Sequence, residues 1–505
     1  MTNRQSTGAL LLALAVATAT LFYKLDAIPG LHGDEAWAGL RAHAILHGQR
    51  PTTGMNTYTG PLYGFLLAPV IWLLGANVFA LRALTVAAAI VTVGLYHRAT
   101  ARWFDPTIAA YASLTLVTMP FFTAFGRLAG ENFALNPLLA TAALAMLADV
   151  GRAGPRASAS LAVGAGVCLG LGIWNHAIFV TVPVALAAAA CYRLRTAVFR
   201  SASVWLVCAG CAAMLVPSLV IQAGISSSER GPVPDAAVAG YLTGLMHRAV
   251  DWPLLLPKFA HGDLLFRRFA GELAVPLPNV MAILSGAGIV VLWVRRTEWP
   301  NATPTLVLAG ALFIATLLIV PGNGERYFLL ILYFVPIFLA AAIVWLRAAV
   351  ASRRAGVAIQ AAFVVFLTVQ LARIGVNYFG AQERTHGLPV PLWLERQPET
   401  SAHFMRSDGL YRRLVSLGAT DVVGEFFIAQ PLRFYDLAHG TFSSVTVDDK
   451  QDSAPPVGSY AVYYSAATRH PAPRAAAGYD LVFEDSQFTV MRRVATHEPH
   501  REPAE

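Results

Sequence analysis

Long apolar runs, each closed by a short polar stretch, repeat along the first three quarters of the chain. They lie at 8–23, 82–96, 107–125, 133–149, 160–175, 177–191, 202–222, 278–294, 303–320, 327–346 and 357–373. A helix needs about 20 apolar residues to cross a hydrocarbon core, so the chain has room for about eleven transmembrane helices. Beyond residue 375 no run is long enough to span. Short alternating stretches appear instead: DVVGEFFI at 421–428, FSSVTV at 442–447, YAVYYS at 460–465, and the pair DLVF and FTVMRRV within 480–494. Alternation of period two predicts strands that bury one face. SDGLYRRLVSLG at 407–418 predicts a helix with Ser407 as its N-cap and Gly418 just past its end. The expected fold is an α-helical polytopic membrane domain over 1–375, a small α/β domain over 376–495, and a disordered tail, THEPHREPAE, over 496–505.

Composition agrees with the pattern. Apolar residues make up 56% of the chain and charged residues 13%, against about 25% charged in a soluble domain. A net charge of +8 raises the question of nucleic acid. The arginines sit mainly in short loops between apolar runs, where basic residues set membrane topology, so no nucleic-acid partner is expected. Cys168, Cys191, Cys208 and Cys211 lie in or at the ends of apolar runs. This argues against a disulfide framework, and Cys208-x-x-Cys211 reads as two small apolar side chains rather than a redox or metal pair. The run Ala9–Tyr23 lacks a convincing cleavage site and reads as a retained signal anchor.

The loops fall into two sets. One holds Arg98 and Arg102; Arg152 and Arg156; Arg193, Arg195 and Arg200; Arg295 and Arg296; and Arg347, Arg353 and Arg354. The short loops of the other set hold only Arg127 and Arg326. The excess of basic residues places the first set in the cytoplasm. That assignment requires PLYGFLLAPVIWLLGANV, 61–78, to be re-entrant or interfacial rather than spanning; Pro61, Pro69 and Gly75 suit such a segment. The N-terminus is then cytoplasmic. Loops 24–81, 126–132, 223–277 and 321–326 and the C-terminal domain face outward, which is periplasmic if the protein sits in a bacterial inner membrane. The Ala- and Arg-rich composition is compatible with such a source.

Candidate chemistry gathers in those outward loops. In HGDEAWAGLRAHAILHGQ, Asp34 and Glu35 open a helix on which Glu35, Ala38 and Ala42 share one face and Trp37, Arg41 and Ile45 another. Acidic residues at a helix start satisfy free N–H groups and the helix dipole. A partly desolvated carboxylate there could equally act as a general base toward an acceptor hydroxyl. In FGRLAGEN, Arg127 and Glu131 form either a helical i,i+4 pair or a site in which Glu131 binds a hydroxyl and Arg127 a phosphate. In PGNGERYF, Glu325, Arg326 and Tyr327 are either interfacial anchors or a phosphate-binding group led by Arg326. His176, in WNHA, reads as a structural polar residue or a site member. Loop 223–277 holds Lys258, His261, Asp263, Arg267 and Arg268, some of which could meet lipid phosphates; their spacing singles out none, and Lys258 is one binding candidate.

The motifs GDEAW at 33–37, TGPLYGFLL at 59–67, ALRAL at 80–84, FGRLAGEN at 125–132 and ERYFLLILYFVP at 325–336 resemble the GT-C glycosyltransferases, in the protein O-mannosyltransferase-like branch that includes the bacterial aminoarabinose transferases. The resemblance runs over about residues 8–375. It implies an inverting transfer from a polyprenyl-phosphate sugar to a glycan, lipid or protein acceptor. Asp34 would be the general base with Glu35 beside it, and the carrier phosphate the leaving group, stabilised by residues such as Arg326. An acidic residue is typical at the position of Glu131. Arg41, Tyr58, Tyr63, Arg127, His176, Lys258, Glu325 and Tyr327 complete the expected binding set; no metal or other cofactor is expected. The motif departs from the aminoarabinose transferases at Gly60-Pro61-Leu62-Tyr63, preceded by Thr59 where those enzymes have Lys, so that sugar is not assigned. The alternatives are a non-enzymatic transporter or flippase of lipid-linked glycans, which would favour internal repeats and mid-membrane charges, and a membrane scaffold.

Overall fold

The computed structural model describes residues 3–56, 58–224, 235–263, 265–266, 279–319, 325–384, 407–448, 455–464, 478–485 and 488–494. Each predicted span is a helix. They are α1 (Asn3–Phe22), α4 (Val78–Trp103), α5 (Pro106–Val117) with α6 (Pro120–Phe125), α7 (Glu131–Asp149), α8 (Pro155–Asn175), α9 (Thr181–Leu194), α10 (Ala202–Gly224), α12 (Val280–Val294), α13 (Ala302–Ile319), α14 (Leu329–Leu332) with α15 (Val335–Ala349), and α16 (Arg353–Arg373). Among the described residues seven helices are long and apolar enough to cross a membrane, and most of the shorter apolar helices fill the remaining predicted spans. The chain is a multi-pass membrane protein. The run 107–125 is divided because Pro120 cannot continue α5 and instead starts α6.

Between α1 and α4 lie two further helices, α2 (Gly33–Leu46) and α3 (Leu62–Leu74). At 13 residues, α3 is about 20 Å long, short of a hydrocarbon core of about 30 Å. Tyr63 is buried on α4, its hydroxyl 3.1 Å from Thr85 Oγ1, while Trp72 and Leu73 remain exposed. The segment lies against the bundle with one apolar face outward. Contacts at the two ends of the bundle follow the two loop sets. Asp149 pairs with Arg98 (2.6 Å) and Arg102 (3.1 Å), Arg193 donates to Asn301 Oδ1, and Asn301 donates to the Trp103 carbonyl. Those contacts tie four basic loops together at one end. At the other end lie α2, α3 and the C-terminal domain.

Two elements differ from expectation. Segment 223–277 contains a 27-residue helix, α11 (Asp235–His261), with Pro253 and Pro257 inside it. Its charged residues, among them Asp251 and Lys258, keep it from reading as a span. Tertiary packing holds it: Trp252 is buried and stacks on Phe328, ring centroids 3.7 Å apart. In the C-terminal domain DVVGEFFI is not one strand. It divides into β1 (Asp421–Gly424) and the start of a helix at Phe426.

The C-terminal domain opens with α18 (Ser407–Ser416), which follows the short α17 (Ala381–Arg384) and ends before Gly418 at φ +68°. Next come β1, α19 (Phe426–Asp436), β2 (Ser444–Val447), β3 (Tyr460–Tyr464), β4 (Tyr479–Glu484) and β5 (Phe488–Arg493). The sheet order is β2-β1-β3-β5-β4, parallel for β2, β1 and β3 and antiparallel for β3, β5 and β4. Ile428 and Leu432 of α19 enter the domain core, whereas Phe434 is buried in a cluster with Ala36, Ala38 and Ala42 of α2. One helix thus joins the soluble domain to the first loop. The tail 496–505 lies outside the described residues.

Candidate functional site

Two adjacent carboxylates begin α2, and the helix turns them in opposite directions. His32 is the N-cap: its Nδ1 accepts the Asp34 N–H at 3.1 Å, while the His32 N–H donates to Glu35 Oε2 at 3.1 Å. The two bonds form a capping box, in which Glu35 has the third-residue role. Glu35 points inward and is 1% exposed. Arg82 grips it at 2.9 and 2.7 Å, and the Ala129 N–H donates to Oε1 at 2.7 Å. Arg82 also donates to the carbonyls of Leu25, Pro29 and Gly30. With both oxygens occupied in this fork, Glu35 has no room to exchange a proton with a substrate. The structure therefore corrects the expectation of a catalytic Glu35. Asp34 has a side chain 31% exposed, its Oδ2 3.7 Å from His32 Nδ1. Trp37, Arg41 and Ile45 share the half-buried face of α2, as the spacing predicts, with Arg41 over the Trp37 ring and donating to the Thr53 carbonyl.

Arg127 and Tyr63 also change role. Residues 126–130 form a turn and not a helix, so Arg127 and Glu131 do not stand one turn apart on a single helix. Arg127 is fully buried. It donates to the carbonyls of Thr20, Leu21, Tyr23, Lys24 and Ile28 and lies 5.0 Å from the Phe379 ring centroid. Burial pulls its guanidinium down to about 10, still charged at neutral pH. It gathers the exposed carbonyls at the end of α1, a use that leaves it no face for a phosphate. Tyr63 is buried and hydrogen-bonded to α4, which removes it from a substrate-contacting set. The side chain of Glu131, the first residue of α7, lies outside the described residues.

Three other candidates converge. Thr59 and His176 form an isolated antiparallel bridge, Gly60 N–H donates to the Asn175 carbonyl, and Ala177 N–H donates to the Tyr58 carbonyl. A side chain at Gly60 would overlap the Trp174 carbonyl, so glycine is what lets this strand seat on the end of α8. The docking sets the His176 ring between Tyr58 (5.5 Å) and Tyr327 (6.3 Å). His176 is buried, with Nδ1 accepting the Ile178 N–H, while Tyr58 is exposed. His176 is thus a buried ring that caps the turn after α8 and lies between two tyrosines. Thr59 is buried and bonded to Asn56.

Tyr327 belongs to a 3-10 turn, Glu325–Phe328, that runs into α14; the side chains of Glu325 and Arg326 lie outside the described residues. Beside α14 runs a groove of about 630 Å³. It is lined by Pro257 and Ala260 of α11, Met281 and Trp293 of α12, Phe313 of α13 and Leu332 of α14. From Met281 to Trp293 the groove follows α12 for about 18 Å, more than half of a hydrocarbon core. Lys258 is exposed on α11 between two groove-lining positions. At and just past the end of that helix, His261 and Asp263 are tied to α16: Arg373, fully buried, donates to Asp263 Oδ1 at 2.6 Å and to the His261 carbonyl at 3.2 Å. Arg267 and Arg268 lie outside the described residues. No group of three or more metal-ligating side chains occurs among the described residues.

Sequence reasoning missed Arg82, His32 and Arg373. Arg82 carried a signal: an arginine inside the apolar run VFALRALTVAAAIV needs a buried partner. His32 carried none, because nothing in its spacing announces an N-cap histidine.

Residues 58–221 match the family model described as dolichyl-phosphate-mannose-protein mannosyltransferase. No curated protein matches the chain significantly in sequence. Among solved structures, ArnT from Cupriavidus metallidurans bound to undecaprenyl phosphate is similar over 97% of this chain and 99% of its own, with TM-score 0.56 and 17% identity. Its apo form gives TM-score 0.59 at 16% identity over 96% and 98%. The oligosaccharyltransferase AglB from Archaeoglobus fulgidus, in complex with an inhibitory peptide and a dolichol-phosphate, gives TM-score 0.50 at 12% identity over 88% of this chain and 64% of that one. The fold is that of the GT-C type along nearly the whole chain, as the motifs imply.

Proposed function

We propose that this GT-C-type membrane glycosyltransferase moves a sugar from a polyprenyl-phosphate donor to an acceptor hydroxyl at the outer face of a bacterial inner membrane, with inversion and with Asp34 as the general base. The observation that carries the reading is the division of labour at the start of α2. Glu35 is saturated by Arg82 and the Ala129 N–H, while Asp34 stands partly open one residue earlier. Asp34 takes the proton of the acceptor hydroxyl as that oxygen attacks the anomeric carbon. The bond to the carrier phosphate breaks on the opposite face of the sugar, and the phosphate leaves with the bonding electron pair. The groove beside α11, α12 and α14 suits the first isoprene units of such a carrier. Lys258, exposed on α11 between groove-lining residues, would stabilise the charge of its phosphate together with Arg326 of the turn ahead of α14. The exposed Tyr58 with Tyr327 offers aromatic faces to a sugar. Undecaprenyl phosphate and dolichol-phosphate in the structural relatives support the donor class.

The test is release of radiolabelled sugar from a panel of polyprenyl-phosphate sugars by purified protein and by Asp34→Asn. The expected result is release by the wild type, with the variant slower by about 10²–10⁴-fold at unchanged thermal stability. Binding of donor without release by either protein would shift the assignment to transport.

A further inference from the structure

Asp34 is held from two sides, and the second side belongs to a different domain. From beneath, the Glu35–Arg82 fork fixes the first turn of α2. From outside, α19 of the C-terminal domain presses on the same turn. The His32 ring meets the Phe427 ring edge-on, centroids 5.3 Å apart at 65°. At Gly33 an added Cβ would stand 2.6 Å from the Phe427 ring and 3.0 Å from its Cα, so the backbone of α2 touches α19 directly. Nearly two turns further on, a Cβ at Gly39 would overlap the Phe434 ring and the Leu81 side chain. Residues 427 and 434 are a heptad apart and so share a face of α19.

We infer that Phe427 acts through His32 as a positioning residue for Asp34, so that docking of the C-terminal domain sets the geometry of the proposed base. This inference rests on the assignment of Asp34 above. The chemistry is local. His32 Nδ1 accepts the Asp34 N–H at 3.1 Å and lies 3.7 Å from Asp34 Oδ2. A ring nitrogen that accepts this bond carries no proton, so the imidazole is neutral with its N–H on Nε2. The ring plane decides whether the lone pair meets the Asp34 amide, and Phe427 sets that plane. When α19 lifts, the His32 ring can rotate, the Asp34 N–H loses its acceptor, and the carboxylate leaves its place. A domain more than 370 residues along the sequence thereby becomes part of the site without contributing a reacting group.

The experiment has two arms. In a form whose four cysteines are replaced by alanine, Asp34→Cys is labelled with a soluble maleimide, with and without Phe427→Ala. A severalfold change in labelling rate is expected, with melting temperature confirming that both forms are folded. An unchanged rate overturns the inference, whether or not the enzyme turns over. The second arm measures sugar release. Phe427→Ala and His32→Ala are expected to lower kcat by up to about 10²-fold with little change in donor KM. His32→Asn, whose amide oxygen can cap the same N–H, is expected to recover most of that loss. Equal defects in His32→Ala and His32→Asn would also overturn the inference. If Asp34→Asn turns over at the wild-type rate, the base assignment fails, and the labelling arm still decides whether α19 positions residue 34.

Discussion

Beneath the first loop, buried charges bind each other or backbone carbonyls; on the open side of the same end of the bundle, polar groups face water. Glu35, Arg82 and Arg127 are each at most 1% exposed. Glu35 and Arg82 bind each other, and the two arginines together bind eight backbone carbonyls. Asp34, Tyr58 and Lys258 are partly or fully exposed. The two groups lie at one end of the bundle, and Glu35 and Asp34 are neighbours in one motif. What separates them is direction. One step along a helix turns a side chain by about 100°, enough to carry a carboxylate from a saturated fork to an open surface. The comparison teaches that a motif of charges near a membrane boundary is two populations, one that shapes the loop and one turned toward what approaches it.

The sharpest way to break this comparison is to change both carboxylates in the same way. Asp34→Asn should abolish most turnover and leave the melting temperature alone. Glu35→Gln should do the reverse at first: it strands Arg82 in the interior, a loss of about 3–5 kcal/mol of stability, with activity falling only as folded protein is lost. Thermal unfolding in detergent beside sugar release distinguishes them. If Glu35→Gln stays fully stable but inactive, the two carboxylates exchange roles.

How far the sequence could have led to that contrast is instructive. The face of α2 was legible: Glu35, Ala38 and Ala42 turn inward and Trp37, Arg41 and Ile45 do not, as a period of 3.6 requires. The spans were legible because the bilayer fixes element length. The partner of Glu35 was not, because it lies 47 residues away and pairing at that range leaves no periodic trace. Helix α19 was hidden for a different reason. Its Phe-Phe-Ile start continues the apolar alternation of β1, and Pro431 within it speaks against a helix. Packing against α2 and the sheet outweighs both.

A smaller effect tests whether the open face depends on the docking of the 58–60 strand. Gly60→Ala places a methyl group on the Trp174 carbonyl, and such overpacking costs about 1–3 kcal/mol. The bridge to His176 should loosen, separating Tyr58 from Tyr327. Donor KM should rise while the Glu35–Arg82 fork remains intact, which hydrogen exchange at Ala129 N–H reports. Loss of protection there instead would join the two regions into one cooperative unit.

Smaller again is Lys258→Ala. An exposed charge at the mouth of a groove steers and holds an anionic headgroup through a screened field. The variant should raise donor KM severalfold at low salt, converge on wild type as salt is added, and keep its kcat. A fall in kcat with KM unchanged would move Lys258 from the mouth of the groove to the reacting centre.

The least effect belongs to a pair with the same chemistry as the Glu35–Arg82 fork and the opposite setting. Lys24 Nζ lies 2.8 Å from Glu383 Oε1, which also accepts from the Tyr23 hydroxyl, and the two charged side chains are 52% and 37% exposed. Their separation matches that of the buried fork, so distance alone would rank the two alike. Water changes the ranking, because it solvates both ions in the folded and unfolded states and salt screens what attraction remains. The hydrogen bond to Glu383 raises Lys24 above its ordinary value of 10.5. Its contribution is therefore fully present at neutral pH and is lost only as pH rises through that raised value. Lys24→Met should leave the melting temperature at pH 7 within error of the wild type, and added salt should erase any residue of a difference. Glu35→Gln should remain destabilised at every ionic strength. A Lys24→Met variant as unstable as Glu35→Gln would show that the end of α1 is held by its surface pair and not by the carbonyls gathered on Arg127.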